Sequence, residues 1–119
     1  MSNIQKYQIL KVSHQIVLLV YKYSVDFPWE EINGITNQLR STAVSIPKNI
    51  LEILSGDLNY GNEFFINNTI SSINKLRYLL MLAFHLGYLK KRDRRNILIK
   101  ITELRKGLSS VTKKEEVCQ

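Results

Sequence analysis

The sequence predicts an all-α protein, an antiparallel up-down four-helix bundle, and three observations support this fold class. Apolar residues recur every three or four positions in four long segments. No segment of useful length alternates polar and apolar residues with the period of two that a half-buried strand requires. The segments are joined by short links, which favours antiparallel neighbours. With 119 residues, we expect one domain that spans residues 1–119.

The first helix is predicted from about Gln5 to Val25, where the Phe27-Pro28 pair ends it because a residue before proline avoids the helical region. A helix that is apolar on two sides has more surface to bury than the core of a small bundle offers. This surplus, which the third helix shares, favours a symmetric homo-oligomer. The two apolar stripes are Tyr7, Leu10, His14, Val17 and Tyr21, and Val12, Ile16, Leu19 and Tyr23.

The second helix is predicted from Trp29 to about Gly56, with Pro47 inside it. Proline lacks an N–H donor and crowds the carbonyl group four residues earlier, so we expect helix two to be kinked or restarted at Pro47. The side chains of Ser45 and Asn49 are placed to bond the backbone groups that the proline frees. Leu39, Ala43, Ile46 and Ile50 form the buried face of this helix.

Arg40 and Glu52 flank Pro47 on the same helix. We interpret them as an ion pair or cap that holds the bent helix or a subunit contact, in preference to a ligand-binding role.

The third helix is predicted from about Asn62 to Leu86, with Gly87 as its C-cap, since a positive φ costs glycine little. The fourth is predicted from Arg92 to Val111, followed by a polar tail from about residue 112. Its buried stripe comprises Ile97, Ile101, Leu104, Leu108 and Val111.

The net positive charge of the chain lies entirely in its second half. Residues 1–59 carry five basic and five acidic side chains, whereas residues 60–119 carry twelve basic and five acidic ones. The whole excess of +7 therefore lies after residue 59, which a need for solubility alone does not explain.

A basic cluster at the start of helix four is the strongest candidate for a functional site. From this cluster a stripe runs along the helix on the side opposite the apolar stripe. It comprises Lys91, Arg95, Thr102, Lys106 and Lys113. A row of cations ~30 Å long suits the spacing of a phosphate backbone, and guanidinium groups grip phosphates with paired hydrogen bonds. Exposed Tyr60, Tyr78 or Tyr88 would add stacking on unpaired bases. The alternative interpretation of the basic stripe is a solvated helix face that binds no ligand. The predicted nucleic-acid-binding residues are Lys90, Lys91, Arg92, Arg94, Arg95, Lys106 and Lys113.

Other candidate chemistry is weak in this sequence. Lys75 and Arg77 lie among apolar residues of helix three, either at a subunit edge or lining a central channel of a ring. His14 and His85 lack the Glu-x-x-His spacing of a di-iron bundle, and we interpret both as core histidines. Cys118 lies alone in the polar tail. We therefore expect no metal, no cofactor and no enzymatic activity.

The central motif resembles a known family. Gln38-Leu39-Arg40, then Ala43 to Pro47, Asn49-Ile50 and Glu52, together with Leu86 to Leu89, look like the signature of the four-helix-bundle proteins encoded in intervening sequences of bacterial 23S rRNA genes. That family is similar to the accessory variability proteins of diversity-generating retroelements, which assist a reverse transcriptase. The resemblance implies a ring-like homo-oligomer, a pentamer in the retroelement proteins.

These observations together predict a non-enzymatic, basic nucleic-acid-binding oligomer. By resemblance it would hold RNA or cDNA for a reverse transcriptase, mainly through phosphate contacts. The alternative is an oligomeric protein-interaction module of the rRNA intervening-sequence type, with an acidic protein partner and no nucleic-acid role. The start of the chain lacks signal-peptide features, and no apolar run approaches the ~20 residues of a membrane span, so we expect a cytoplasmic protein without a membrane partner.

Overall fold

A computed structural model describes the backbone of residues 3–55 and 60–117, and the side chains of residues 4–55 and 63–110. It contains four α-helices, α1 (Asn3–Ser24), α2 (Ile35–Ser55), α3 (Tyr60–His85) and α4 (Lys91–Val117), with a short 3₁₀ helix at Trp29–Glu31. No strand occurs in these ranges. The predicted all-helical class is therefore confirmed, and the arrangement is consistent with a four-helix bundle.

The core is built from the aliphatic stripes of all four helices. The stripes predicted for the second and fourth helices are both buried, since Leu39, Ile46, Ile50, Ile101 and Leu104 are at most 1% exposed. α3 adds Ile73, Leu76 and Leu80, and α1 adds Val12, Ile16 and Val20. Close packing of such side chains removes apolar surface from water at about 25 cal/mol per Å².

The helices are not packed equally tightly. α2 and α3 make the closest pair, α1 lies against both α2 and α4, and α3 and α4 are the most loosely packed neighbours. The side-chain amide of Asn96 on α4 donates a hydrogen bond of 2.9 Å to the Tyr23 hydroxyl on α1. α4 is therefore attached to the bundle mainly through α1.

The second α-helix begins later than the sequence suggested. Trp29–Glu31 forms a separate 3₁₀ turn, and α2 starts only at Ile35, after Gly34. Phe27 is buried beneath this connection, with its ring 5.7 Å from that of Tyr88. Pro28 has ψ 138°, an extended conformation that separates α1 from the 3₁₀ turn.

α2 continues through Pro47 as one helix from Ile35 to Ser55. The Ser45 hydroxyl lies 2.6 Å from the Thr42 carbonyl oxygen, and the Asn49 amide donates to the Ser45 carbonyl at 2.9 Å. Ser45 also hydrogen bonds Ser72 of α3 at 2.8 Å. Both side chains next to the proline thus bond backbone carbonyls of this turn, those of Thr42 and Ser45. The carbonyl that Pro47 frees is that of Ala43, four residues earlier, so neither bond is to the predicted group. The kink itself stays a prediction.

Gly87 ends α3 as predicted. Its φ is +81°, in the left-handed region that glycine adopts at little cost. The Gly87 N–H bonds the Phe84 carbonyl at 3.0 Å and the Tyr88 N–H bonds the Ala83 carbonyl at 2.9 Å, which is the Schellman pattern.

α1 buries only one of its two predicted apolar sides. Ile9, Val12, Ile16 and Val20 point into the core. Because α1 meets two neighbouring helices, α2 and α4, over the described residues, the other stripe faces outward, with Leu10 and Val17 half-buried at its edge. Exposed residues recur there at spacings of three and four, namely Ile4, Tyr7, Lys11, His14, Leu18, Tyr21 and Val25.

α4 continues to Val117, through most of the segment predicted as a polar tail. The side chains from residue 111 onward lie outside the described part, including Val111, which was predicted to be buried, and so does Cys118. Within the described ranges, none of the helices combines the length and hydropathy that a membrane span requires.

The backbones of α1 and α4 approach closely at Gly107. A Cβ atom added there would lie 2.6 Å from Cγ2 of Ile9, a side chain that is only 3% exposed. Ile9 is β-branched and stiff at χ1, so its methyl group cannot move away freely.

We expect Gly107→Ala to destabilise the protein by about 1 kcal/mol. Overpacking a core contact lowers the free energy of unfolding by about 1–3 kcal/mol, and the better helix propensity of alanine offsets roughly 1 kcal/mol of this loss. Urea denaturation followed by circular dichroism measures the change. Ser109→Ala, at an exposed position on the same helix, is the control and should change stability by no more than about 0.5 kcal/mol. A more stable Gly107→Ala variant would show that α1 and α4 can move apart at this contact without lowering the free energy of unfolding.

Candidate nucleic-acid interface

The basic residues at the start of α4 are largely exposed, as a surface that contacts phosphates requires. Lys90 immediately precedes the helix, and Lys91, Arg92 and Arg95 occupy its first two turns. Lys106 is exposed about 22 Å further along the axis, counted from Lys91. The side chain of Lys113 lies outside the described residues.

The carboxylates of α4 are separated from most of these cations. Asp93 lies 3.9 Å from Arg92, and Glu103 lies 3.5 Å from Lys100. By helical register Asp93 lies on another side of α4 from the stripe of Lys91, Arg95, Thr102 and Lys106, whereas Glu103 lies three residues before Lys106 and is its neighbour on the helix surface. Among side chains that the structure describes, no carboxylate lies within 4.0 Å of Lys91, Arg95 or Lys106. The stripe is therefore free to attract an external anion.

Arg94 does not project freely to solvent with the rest of the cluster. Its side chain is half-buried, and its guanidinium carbon lies 5.1 Å from the centre of the Phe84 ring on α3. The Nε atom is buried and has no hydrogen-bond acceptor in the described part of the chain. Arg94 thus faces the space between α3 and α4 because its position on the wheel is next to the buried stripe.

Arg105 belongs to the same side of α4 but was absent from the sequence-based set. It is half-buried and lies seven residues after Leu98, which returns it to nearly the same direction on the helix. The sequence could have indicated Arg105, because Arg94, Leu98 and Arg105 are spaced by four and seven residues, which places them on one side of a helix.

The three tyrosines that were considered for base stacking differ in availability. Tyr78 is 56% exposed and lies on the outer side of α3. Tyr88 is half-buried against Phe27, so it supports the turn into α4 instead of offering a free ring. The side chain of Tyr60 lies outside the described residues.

Lys75 and Arg77 are both exposed, and each lines a different open groove. Lys75 lies with Gln38, Thr42 and Asn74 in a groove of about 710 Å³ between α2 and α3. Arg77 lies in a groove of about 500 Å³ between α3 and α4, together with Arg94. Tyr78 contributes to both grooves, so they meet at its ring.

Arg40 and Glu52 do not form the predicted ion pair. Their positions on α2 are twelve residues apart, about 18 Å along the axis, which no pair of side chains on one helix face bridges. Arg40 instead donates from Nε to the Ser24 hydroxyl at 3.0 Å, and its guanidinium lies 4.9 Å from the centre of the Tyr21 ring. Arg40 therefore fastens α2 to the end of α1, whereas Glu52 is exposed.

The interpretation of both histidines as core residues is wrong. His14 is exposed because its stripe of α1 faces away from the other helices. His85 is exposed at the end of α3, beside the Phe84 ring at 5.5 Å between ring centres. Over the described ranges, no three His, Cys, Asp or Glu side chains come together in a group that could hold a metal ion.

Comparison with known proteins places the chain among helical relatives. Residues 5–110 match the sequence model of the family described as 23S rRNA-intervening sequence protein. A crystal structure of a protein with unknown function from the S23 ribosomal protein family of Bacteroides thetaiotaomicron VPI-5482 superposes with a TM-score of 0.80. The two chains are 20% identical, and the match covers 92% of this chain and 98% of the other. The search of curated proteins gave no match.

We expect Arg40→Met to lower the free energy of unfolding by about 1–2 kcal/mol. Methionine keeps an apolar stem but removes the donor to the buried Ser24 hydroxyl and the cation over Tyr21. Glu52→Gln serves as the control and should stay within about 0.5 kcal/mol of the unmodified protein, since the Glu52 side chain is exposed. Thermal unfolding measures both. Equal losses in the two variants would restore a linked role for Arg40 and Glu52.

Proposed function

The chain belongs to the 23S rRNA-intervening sequence protein family, and from this premise we propose that it is a nucleic-acid-binding protein whose contact surface is the basic face of α4. The observation that carries the proposal is the segregation of charge. The half of the chain before residue 60 has no net charge and the other half has +7. In the stripe of α4, none of the carboxylates that the structure describes lies within 4.0 Å of Lys91, Arg95 or Lys106.

The chemistry of this stripe suits a phosphate backbone. Lys91, Arg95 and Lys106 carry their charge on side chains that reach into water, where they displace the counterions that surround a nucleic acid. Such contacts fix the position of a strand and read little of its sequence. The expected ligand is therefore RNA or DNA bound with weak sequence preference and strong salt dependence.

The resemblance to the accessory variability proteins suggests a more specific role. In this role the protein holds RNA or cDNA close to a reverse transcriptase, and it supplies a binding surface and no catalytic step of its own. The basic α4 face would contact the nucleic acid, which leaves the outward side of α1 for protein contacts.

Self-association is part of the proposal. Tyr7, Leu18, Tyr21 and Val25 on the outward stripe of α1 are each between 42% and 69% exposed, and a repeated apolar stripe of this kind is typical of helix–helix contacts. A second copy of the chain is the simplest partner for it. The ring form and the number of five subunits rest on the resemblance alone.

The same exposed stripe favours the competing function, a protein-interaction module. In that case an acidic protein would dock on the cations of α4, and nucleic acid would not be a ligand. Both kinds of partner lose affinity as salt rises, so salt dependence alone separates them poorly. Competition by unlabelled bulk RNA separates them directly.

The decisive variant reverses three exposed charges on α4, Lys91→Glu, Arg95→Glu and Lys106→Glu. We expect it to keep its helical content and to lose RNA binding, since three phosphate contacts become repulsive. Fluorescence anisotropy of a labelled structured RNA, at salt concentrations of ~50 and ~200 mM, measures affinity and its salt slope. Neutral substitution of the same residues by glutamine should reduce that slope by about one per lost contact.

The matched control reverses three lysines outside α4 and outside the outward stripe of α1, Lys6→Glu, Lys22→Glu and Lys48→Glu. It changes the net charge by the same amount, so general electrostatic attraction falls equally in both triple variants. Retained binding in this control, with loss in the α4 variant, assigns the effect to the stripe. Equal binding by both variants, or no RNA binding by the unmodified protein even at low salt, would refute the proposed function.

A further inference from the structure

The groove between α3 and α4 contains a combination of groups that the phosphate stripe does not use. Arg77, Tyr78 and Met81 of α3 form one wall, and Arg94, Leu98 and Thr102 of α4 form the other. Its volume of about 500 Å³ is within the range of small-molecule sites, roughly 300–1,000 Å³. None of the carboxylates that the structure describes lines it, so the charge of its two arginines is not offset by those residues.

Arg94 is held in a fixed orientation beside this groove. Its guanidinium lies over the Phe84 ring at 5.1 Å, a contact that limits the rotation of the planar group. Its buried Nε has no acceptor among the described residues, and Asp93 is directed to Arg92. A half-buried cation without an anionic partner gains when an anion reaches its remaining N–H groups.

The opposite wall adds an aromatic and apolar surface. The Tyr78 side chain is 56% exposed and that of Met81 is 36% exposed, so both are accessible. Half-buried Leu98 lies across from them on α4. Aromatic rings beside cations are the arrangement that single-strand-binding proteins use, because the base stacks while the phosphate is neutralised.

We propose that this groove holds one unpaired nucleotide of a single-stranded nucleic acid. The base lies against Tyr78 and Met81, and the adjoining phosphate is bound by Arg77 and Arg94. A simple inorganic anion would leave the aromatic wall unused, and the Asp and Glu side chains of an acidic peptide have no planar ring that could stack on it. The inference rests on the proposed function and makes it more specific.

A preference for single strands over duplexes follows from this geometry. In a duplex the bases are stacked on one another and paired, so none can enter the groove without unstacking. The phosphate stripe of α4, in contrast, accepts either form. Tyr78 therefore determines the difference between the two affinities, whereas Arg95 and Lys106 contribute to both.

The test compares two ligands on the full chain by fluorescence anisotropy. One is a short labelled oligouridine RNA, and the other is a labelled RNA duplex with the same number of phosphates. We expect Tyr78→Ala to weaken binding of the single strand about tenfold, as the loss of one stacked base predicts, and to leave duplex binding within about twofold. Tyr78→Phe keeps the ring and should bind both ligands like the unmodified protein. Trp29→Ala, which removes an exposed aromatic side chain of the 3₁₀ turn, should also change neither affinity.

The outcomes separate the groove from the stripe. Unchanged single-strand binding in Tyr78→Ala, or an equal loss for both ligands, would overturn the groove and leave the phosphate stripe intact. If the unmodified protein binds neither RNA, the proposed function fails, and the groove fails with it. A competition experiment with polyglutamate of equal charge gives a further outcome. If polyglutamate displaces oligouridine equally well from the unmodified protein and from Tyr78→Ala, the groove recognises charge alone, and the proposal is overturned.

Discussion

The packing of α2 against α3 is the constraint on which the rest of the bundle depends. Ala43, Ile46 and Ile50 are fully buried on one side of this contact, and Ile73 and Leu76 are fully buried on the other. Pro47 lies between the buried residues Ile46 and Ile50 of α2. Two residues before it, the Ser45–Ser72 hydrogen bond joins α2 to α3. α1 packs on α2, and α4 packs mainly on α1. The contact between α3 and α4 is the loosest of the four, and the groove of Arg77 and Arg94 lies there.

Charge is distributed according to the same arrangement. The helix that is attached chiefly through one neighbour, α4, also carries most of the cations. Its buried stripe is purely aliphatic, so the remaining sides are available for charged residues without cost to the core. Arg94 and Arg105 lie at the border between these regions, which is why both are half-buried. The position of a cation on the wheel thus decides whether it meets an aromatic ring or water.

The spacing of aliphatic residues was sufficient to predict the four helices, the buried face of α2 and that of α4 as far as Leu108. The cap at Gly87 was predictable from the residue type, because glycine tolerates a positive φ. All of these depend on local geometry. Other features depend on which helices become neighbours. A wheel for α1 shows two apolar sides but does not indicate which of them is covered, so His14 was placed in the core and is exposed. The contact of Arg94 with Phe84 joins α4 to α3, and that of Arg40 with Ser24 joins α2 to α1. The spacing of residues within one helix does not predict contacts between side chains of different helices. Arg40 and Glu52 were paired because they flank a motif, although twelve residues separate them.

The attachment of α4 through α1 also bears on how the chain folds. α2 and α3 are consecutive, so their contact closes only a short loop, and the entropy lost in forming it is small. α1 and α4 are the first and last helices, and the Gly107–Ile9 and Asn96–Tyr23 contacts join residues far apart in the sequence. Contacts of high sequence separation form slowly, since the intervening chain must first be confined. We therefore expect the α2–α3 hairpin to act as the folding nucleus and the docking of α4 onto α1 to complete the native state.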